Sequence, residues 1–419
     1  MHAAAEWNVS LYSVTFHSAA HASSRSVFCY KNFEEFSYNS KIKFSQEEKG
    51  CSRFRRILQD HLMKKIVLTG GGTAGHVTPN LALLPSLKAD GFEVRYIGSY
   101  NGMEKKLITA AEVPYDGISS GKLRRYFDLK NFSDPFRVLK GFAEAHHILR
   151  KYRPDIVFSK GGFVAVPVVL AAHQLKIPVI IHESDMTPGL ANKICIPSAD
   201  RVCCNFPETL QYLPEDKAVL SGSPIRADLL TGDRETGLKY AKLYDTRPVI
   251  LVIGGSLGSV VVNNAVRAAL PTLLETFQVI HICGKGNLDE SLIGTHGYVQ
   301  YEYVDTPLRH LFAAADLVIS RAGANSICEL LALRKPNILI PLSAKASRGD
   351  QILNARSFAK QGYSALLEEE VLTTDTLLAA VNDTFRKRAE YISAMRQSHQ
   401  GNAVETIMGL IRELTKDAE

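Results

Sequence analysis

The chain has 419 residues, 46% of them apolar, and a net charge of +6. That is room for two domains with a core each. The modest charge gives no reason to invoke nucleic acid, and no apolar run reaches the ~20 residues that span a bilayer. Seven cysteines lie scattered without a CxxC pair, which reads as reduced, buried thiols rather than a disulfide or zinc framework.

Residues 1–62 are rich in Ser, Phe and His, lack a period and hold the only tryptophan, Trp7. A basic start followed by an apolar core is missing, so no signal peptide is read there. The segment is expected to be a poorly ordered extension. From Lys64 short apolar strands alternate with helical stretches. "KKIVLTG" runs into a glycine loop and a helix over about 77–90, and "EVRYIGS" follows. Then come "DIVFSKGG", a helix over about 164–175, "IPVIIHES" and "ADRVCCNF". Short continuous Val/Ile runs suit strands covered on both faces, and their alternation with helices predicts a parallel, doubly wound sheet.

The programme repeats at "RPVILVIGGSLGS", Arg247 to Ser259. After it come "FQVIHICGKG", "GYVQYEYV", "ADLVISRAGANSICELLAL", "KPNILIPLS" and "YSALLEEE". Two Rossmann-like halves are therefore expected, 63–230 and 231–400, with the joint near "LSGSPIRADLL". The last stretch, 401–419, places Val404, Ile407, Met408, Ile411 and Leu414 on one helix face. That face needs a partner, and the first half is a candidate.

Gly70, Gly72 and Gly75 fit G-x-G-x-x-G after a strand, a loop that brings backbone N–H groups and a helix N-terminus to phosphate oxygens. A dinucleotide would also want an acidic residue at the end of the second strand, where Gly98 and Ser99 stand. The second loop, Gly254 to Gly258, offers close backbone approach, the Ser256 hydroxyl and a helix dipole. From spacing alone, each loop also reads as a tight turn without a ligand. Glu329 lies roughly two turns into the helix after "DLVIS". It reads as a solvated helix glutamate or as a carboxylate for a vicinal diol. His76, at the mouth of the first loop, is a structural histidine or a general base. The histidine pair at 146–147 sits in a long helix and reads as surface. "GISSGKLRRYFDLKNFSDPFRVLKGF", 117–142, interleaves aromatics with cations. That pattern suits a helix with a basic face, or an anionic membrane surface met by Leu123, Arg124, Arg125, Tyr126, Phe127 and Lys130.

Together "TGGGTAGHVTPNLAL", "KGGFVAVPVVLAA", "IHESDMTPGLANK", "SGSPIR", "IGGSLGS", "SRAGANSICE" and "DQILNA" resemble one family closely. It is the MurG family of UDP-N-acetylglucosamine:N-acetylmuramyl-(pentapeptide) pyrophosphoryl-undecaprenol N-acetylglucosaminyltransferases. The resemblance covers about 63–415. It implies the GT-B fold, two Rossmann-like parallel-sheet domains facing an interdomain cleft. It also implies inverting transfer of N-acetylglucosamine from UDP-N-acetylglucosamine to lipid I, giving lipid II, without cofactor or metal. The family works peripherally at the cytoplasmic face of the cell membrane, alongside cell-wall and division proteins. Carried over by position, Thr73, Ala74 and Gly75 lie where donor sugar and acceptor meet, and Gly71, Gly72 and Thr73 serve the acceptor pyrophosphate. Arg226 and Ser256 match nucleotide and phosphate contacts, and Val304 a backbone contact to uracil. Ala324, Asn325, Ser326, Ile327, Cys328 and Glu329 line the donor, with Glu329 on the ribose. Gln351 matches a sugar-contacting glutamine. Many members carry a second glutamine where Asp350 stands, and an asparagine where this chain has Asp185. Another GT-B enzyme on a UDP-sugar, a glycolipid glycosyltransferase or an epimerase, shares these features.

Overall fold

The computed structural model describes residues 63–121, 134–255, 258–344 and 349–416. Residues 1–62, Ser256 and the patch residues Leu123, Arg124, Arg125, Tyr126, Phe127 and Lys130 lie outside the described residues.

The first half is built on β1 (Lys65–Thr69), β2 (Glu93–Ser99), β3 (Tyr115–Ile118), β4 (Ile156–Ser159), β5 (Val179–Glu183), β6 (Arg201–Cys204) and β7 (Ala218–Leu220). They form one sheet in the order β3-β2-β1-β4-β5-β6-β7, every pair parallel. The second half has β8 (Val249–Ile253), β9 (Gln278–Ile282), β10 (Tyr298–Tyr301), β11 (Leu317–Ser320), β12 (Asn337–Leu339) and β13 (Ala365–Leu366). Their order, β10-β9-β8-β11-β12-β13, repeats the pattern, again with parallel pairs. This is the two-domain GT-B architecture. The central strands carry the longest aliphatic runs because helices cover both faces: Ile66, Val67, Val157, Ile250, Leu251 and Val318 are all fully buried.

In each half the order reverses between two central strands, β1 with β4 and β8 with β11. Parallel sheets bind ligands in the crevice beyond the strand ends at such a reversal. Four loops meet these two crevices: 70–76 after β1, 160–164 after β4, the described residues 254–255 and 258 after β8, and 321–323 after β11.

The final helix, Ala403–Leu414, returns to the first half. Ile407, Met408 and Ile411 fill a core shared with Ile66, Leu68, Leu83 and Leu87. The Arg412 guanidinium pairs with Asp90 at 2.6 Å, and Lys64 Nζ donates to the Thr415 carbonyl at 2.6 Å. The halves also meet directly. Phe206 sits edge-on to Phe358 with centroids 5.9 Å apart, and Ser357 Oγ donates to Glu208 Oε2 at 2.8 Å. The thiols of Cys195, Cys203, Cys204, Cys283 and Cys328 are buried and free. His146 is half-buried and His147 exposed.

Candidate active site

The first glycine loop is held from beneath. Gly70 has φ 156° and Gly72 φ 90°, so both use backbone that side chains disfavour. Buried Asn80, from the helix Thr78–Ala89, donates through Nδ2 to the carbonyls of Thr69 (3.1 Å) and His76 (3.3 Å). Tyr96 OH donates to the Gly70 carbonyl at 2.7 Å. These bonds close the short turn Ala74–His76 and fix where His76 stands. Its Nδ1 lies 2.9 Å from Thr73 Oγ1. Burial, and next the charge of Lys160, push the imidazole down to about 4; a backbone hydrogen bond at Gly71 and the charge of Glu104 work the other way. At neutral pH the ring is uncharged and holds a free electron pair.

The pyrophosphate expected at Gly71, Gly72 and Thr73 meets a competitor there. The buried Glu104 carboxylate accepts from the N–H groups of Ser99 (3.0 Å) and Gly72 (3.3 Å), and from the Ser99 hydroxyl. Thr73 is exposed and Gly75 half-buried. Under the neighbouring loop, Glu183 accepts from Asp185 N (2.9 Å), Gly189 N (2.9 Å) and Asn192 Nδ2 (2.8 Å). Those three bonds shape the turn that carries Asp185.

In the second half a cavity of 470 Å³ opens between the glycine loop and the loop after β11, with Gly254, Gly255, Ser259, Gly323, Ser326 and Gln351 among its walls. Two helices begin at it, Val260–Thr276 and Ala324–Ala332. Their unpaired N–H groups and dipoles suit a diphosphate. Ser259 caps the first of them, accepting from Val262 N at 3.3 Å. The Ser259 hydroxyl also accepts from buried Arg321 at 2.6 Å, whose other guanidinium bonds reach the Ile340 and Pro341 carbonyls (3.1 Å each) and the Glu369 carboxylate. Gln351 Oε1 accepts from Leu342 N at 3.1 Å.

Between the halves a small pocket brings together Thr78, Ser223, Arg226, Asn325 and Glu329. Burial pushes the Glu329 carboxyl up to about 7; Arg226 opposes this and Asp228 adds to it. Arg226 itself lies 3.7 Å from Asp228. Asn325 Nδ2 donates to the Gly75 carbonyl at 3.0 Å, and its Oδ1 accepts from Ser223 Oγ at 3.4 Å. Its amide therefore links the two halves. Val304, Ile327 and Cys328 have buried side chains in the second core, so what they offer a ligand is backbone. Ala324 and Ser326 lie half-buried in the first turn of their helix. The structure thus gathers Thr73, Gly75, His76, Arg226, Asn325 and Glu329 around the junction of the halves, with Ser326 and Gln351 at the larger cavity. Sequence reading missed Glu104, Lys160, Glu183, Arg321 and Glu369; Glu104, Lys160 and Arg321 meet partners far off in the chain, whereas Glu183 binds its own turn.

Residues 66–204 match the Glycosyltransferase family 28 N-terminal domain, and residues 249–410 its C-terminal domain. The chain is 65% identical over 352 residues to the UDP-N-acetylglucosamine--N-acetylmuramyl-(pentapeptide) pyrophosphoryl-undecaprenol N-acetylglucosamine transferase of Lachnoclostridium phytofermentans, covering 84% of this chain and 99% of the relative. It is 58% identical over 349 residues to the Clostridium perfringens enzyme of the same name, covering 83% and 98%. Among solved structures, Acinetobacter baumannii MurG superposes with a TM-score of 0.67 at 27% identity over 84% of this chain and 99% of that one. A putative UDP-N-acetylglucosamine 2-epimerase from Listeria monocytogenes, at 12% identity and TM-score 0.62 over 85% and 98%, shares the fold. By sequence, architecture and the pairing of its two glycine loops, the chain belongs to the MurG family of N-acetylglucosaminyltransferases, within glycosyltransferase family 28.

Proposed function

We propose that the enzyme transfers N-acetylglucosamine from UDP-N-acetylglucosamine to the 4-hydroxyl of the muramyl sugar of lipid I, giving lipid II. The observation that carries this reading is the close match, over both halves, to transferases named for that reaction. The site gives the reading its chemistry. Glu329, beside Arg226, accepts the ribose hydroxyls, and the Val304 backbone meets the uracil. The helix N-termini at Ser259 and Gly323 hold the donor diphosphate, and Gln351 and Asp185 reach its sugar. On the other side, the first loop presents His76 to the acceptor.

The step is a single displacement. The acceptor oxygen forms a bond to the anomeric carbon with inversion. The bond from that carbon to the diphosphate oxygen breaks, its electron pair leaving on UDP. The hydroxyl proton passes to the free nitrogen of His76. Negative charge that grows on the leaving diphosphate is met by N–H groups already aimed at it. Label transfer from UDP-N-acetylglucosamine to a short-chain lipid I analogue tests the reading. A labelled disaccharide lipid is expected; conversion of the donor to its 2-epimer with no labelled lipid would overturn it in favour of an epimerase.

The lipid acceptor keeps its pyrophosphate near headgroups. Among the described residues no helix is long and apolar enough to cross a membrane. The surface contact is assigned to the 117–142 segment, whose basic residues are worth about 1 kcal/mol each near an anionic leaflet, at the cytoplasmic face of the membrane. Replacing Arg124 and Arg125 with Glu is expected to release the enzyme from anionic vesicles and to spare turnover of a water-soluble acceptor. Co-sedimentation equal to the parent enzyme would move the contact elsewhere.

A further inference from the structure

Lys160 is 1% exposed, and the transfer as described makes no use of it. It follows β4 directly, and its N–H donates to the Thr69 carbonyl at 2.9 Å. The side chain therefore starts beneath the first glycine loop. A methyl group placed on Gly70 would lie 2.6 Å from the His76 carbonyl oxygen and 3.3 Å from the Lys160 Cβ. The His76 backbone and the root of the Lys160 side chain are neighbours across that one missing group, and the Lys160 charge acts on the imidazole. The amine ends against His182 Nδ1 at 2.6 Å and Ser184 Oγ at 2.8 Å. His182 Nε2 lies 2.8 Å from the Gly222 carbonyl. A carbonyl only accepts, so Nε2 carries the ring proton, Nδ1 is bare, and Lys160 is the donor. Among the described residues Lys160 forms no ion pair. Of the acidic groups that act on it, Glu183 is bound by three donors of its own turn, and the charge of Asp185 acts on it less strongly than that of Glu183. From other elements, Cys203 on β6, Cys328 on the Ala324–Ala332 helix, and His76 and Glu104 at the first loop complete its surroundings.

We propose that Lys160 is a positioning residue for the transfer. Its ammonium offsets the negative charge that the two diphosphate-bearing substrates bring into the cleft, so that His76 stays unprotonated in the loaded enzyme. This rests on the reading of His76 as the base. The physical problem is general. An anion bound beside a histidine favours the imidazolium, and an imidazolium accepts no proton. A second, more basic group next to it takes up the proton first. Burial pushes the Lys160 amine down to about 7, while His76 lies at about 4, partly through the Lys160 charge itself. When anions arrive, the amine is the group that completes its charge, and that charge holds the imidazole neutral.

The test uses the whole enzyme with histidines labelled for NMR. In Lys160→Met the His76 ring is expected to titrate at least about one pH unit higher than in the parent enzyme. The acid limb of kcat, which reports the loaded enzyme, is expected to move up with it. For a one-unit shift, that lowers kcat by up to about 10-fold on the acid limb, below the His76 midpoint, with recovery by about pH 6.5. Lys160→Arg keeps the charge and is expected to return both values to those of the parent. Lys160→Gln serves as the neutral variant if Met at this position does not fold, and UDP affinity above about pH 8 is the control for an intact donor site. An unmoved His76 titration in a folded neutral variant would overturn the proposal. A raised His76 titration with an unmoved kcat profile would instead overturn the assignment of His76 as the base.

Discussion

The two crevices are lined by matching sequences that do different work. After β4 the chain reads Ser159-Lys160-Gly161-Gly162, and after β11 it reads Ser320-Arg321-Ala322-Gly323. Each places a buried cation beneath a glycine loop. Arg321 is engaged at both terminal nitrogens: two carbonyls and the Ser259 hydroxyl accept from it, and the Glu369 carboxylate pairs with its charge. Among the described residues Lys160 has hydrogen bonds to a neutral imidazole and a hydroxyl and no ion pair. A neutralised cation is a brace, and here it fixes the cap of the helix that opens at the donor cavity. A buried cation without a counter-charge is costly to keep, and such groups concentrate where chemistry needs them. On the function proposed above, the second half holds a ligand and the first manages a proton.

That contrast can be broken at several points. The largest effect is expected at His76. His76→Ala should lower kcat by about 10²–10⁴ and leave UDP affinity unchanged by calorimetry. A change in UDP affinity instead would place His76 on the donor side. Next comes the brace. Arg321→Met leaves the half-buried Glu369 carboxylate without its partner and should cost up to about 3–5 kcal/mol of stability, read as lost amide protection within 249–397. Lys160→Met strands no carboxylate and should cost far less, so equal losses would erase the distinction.

Donor binding supplies the third point. Glu329→Ala should weaken UDP-N-acetylglucosamine binding by about 10- to 150-fold, the loss of a charged hydrogen bond worth 1.5–3 kcal/mol. The sign of its pH dependence follows from the raised carboxyl. Below about 7 the group is protonated in the empty enzyme and must lose its proton to accept two hydroxyls. Affinity should therefore rise from about pH 6 to about pH 8, by up to about 10-fold per unit on the acid side. In Glu329→Ala that slope should vanish; its persistence would point to another group. The smallest effect is expected where the halves join. Asn325→Ala removes the bond to the Gly75 carbonyl, worth about 0.5–1.5 kcal/mol. It should lower kcat by no more than about 10-fold, with UDP binding intact. A donor-affinity defect larger than the kcat defect would show that the side chain serves the nucleotide directly.

The strand-loop-helix repeats were legible because buried parallel strands are continuous aliphatic runs and glycine loops are short-range signals. Two edge strands escaped that reading. Tyr115–Ile118 is "YDGI" and Ala218–Leu220 is three residues long, and neither lies deep enough to need an aliphatic run. Within the site, the glycines, His76 and Glu329 could be singled out from local pattern. Lys160 and Arg321 could not, because a buried cation and a surface cation look alike in sequence. Their partners stand 22 and 62 positions away, at His182 and Ser259. Glu104 was hidden for the same reason, since it meets Gly72 across 32 positions. The final helix announced an apolar face, but which sheet it covers is a property of the assembled fold.

That helix sets the order in which the molecule can be completed. Ile407, Met408 and Ile411 lie against Ile66, Leu68, Leu83 and Leu87, more than three hundred positions upstream. During synthesis, at about 5–20 residues per second, the first half waits through the making of the second with this face of its core uncovered. The second half has its sheet strands between 249 and 366 and can close before the last helix is made. The half translated first is therefore the half finished last. Until then its open apolar surface is the point at which a chaperone, a protease or a second nascent chain would find the protein.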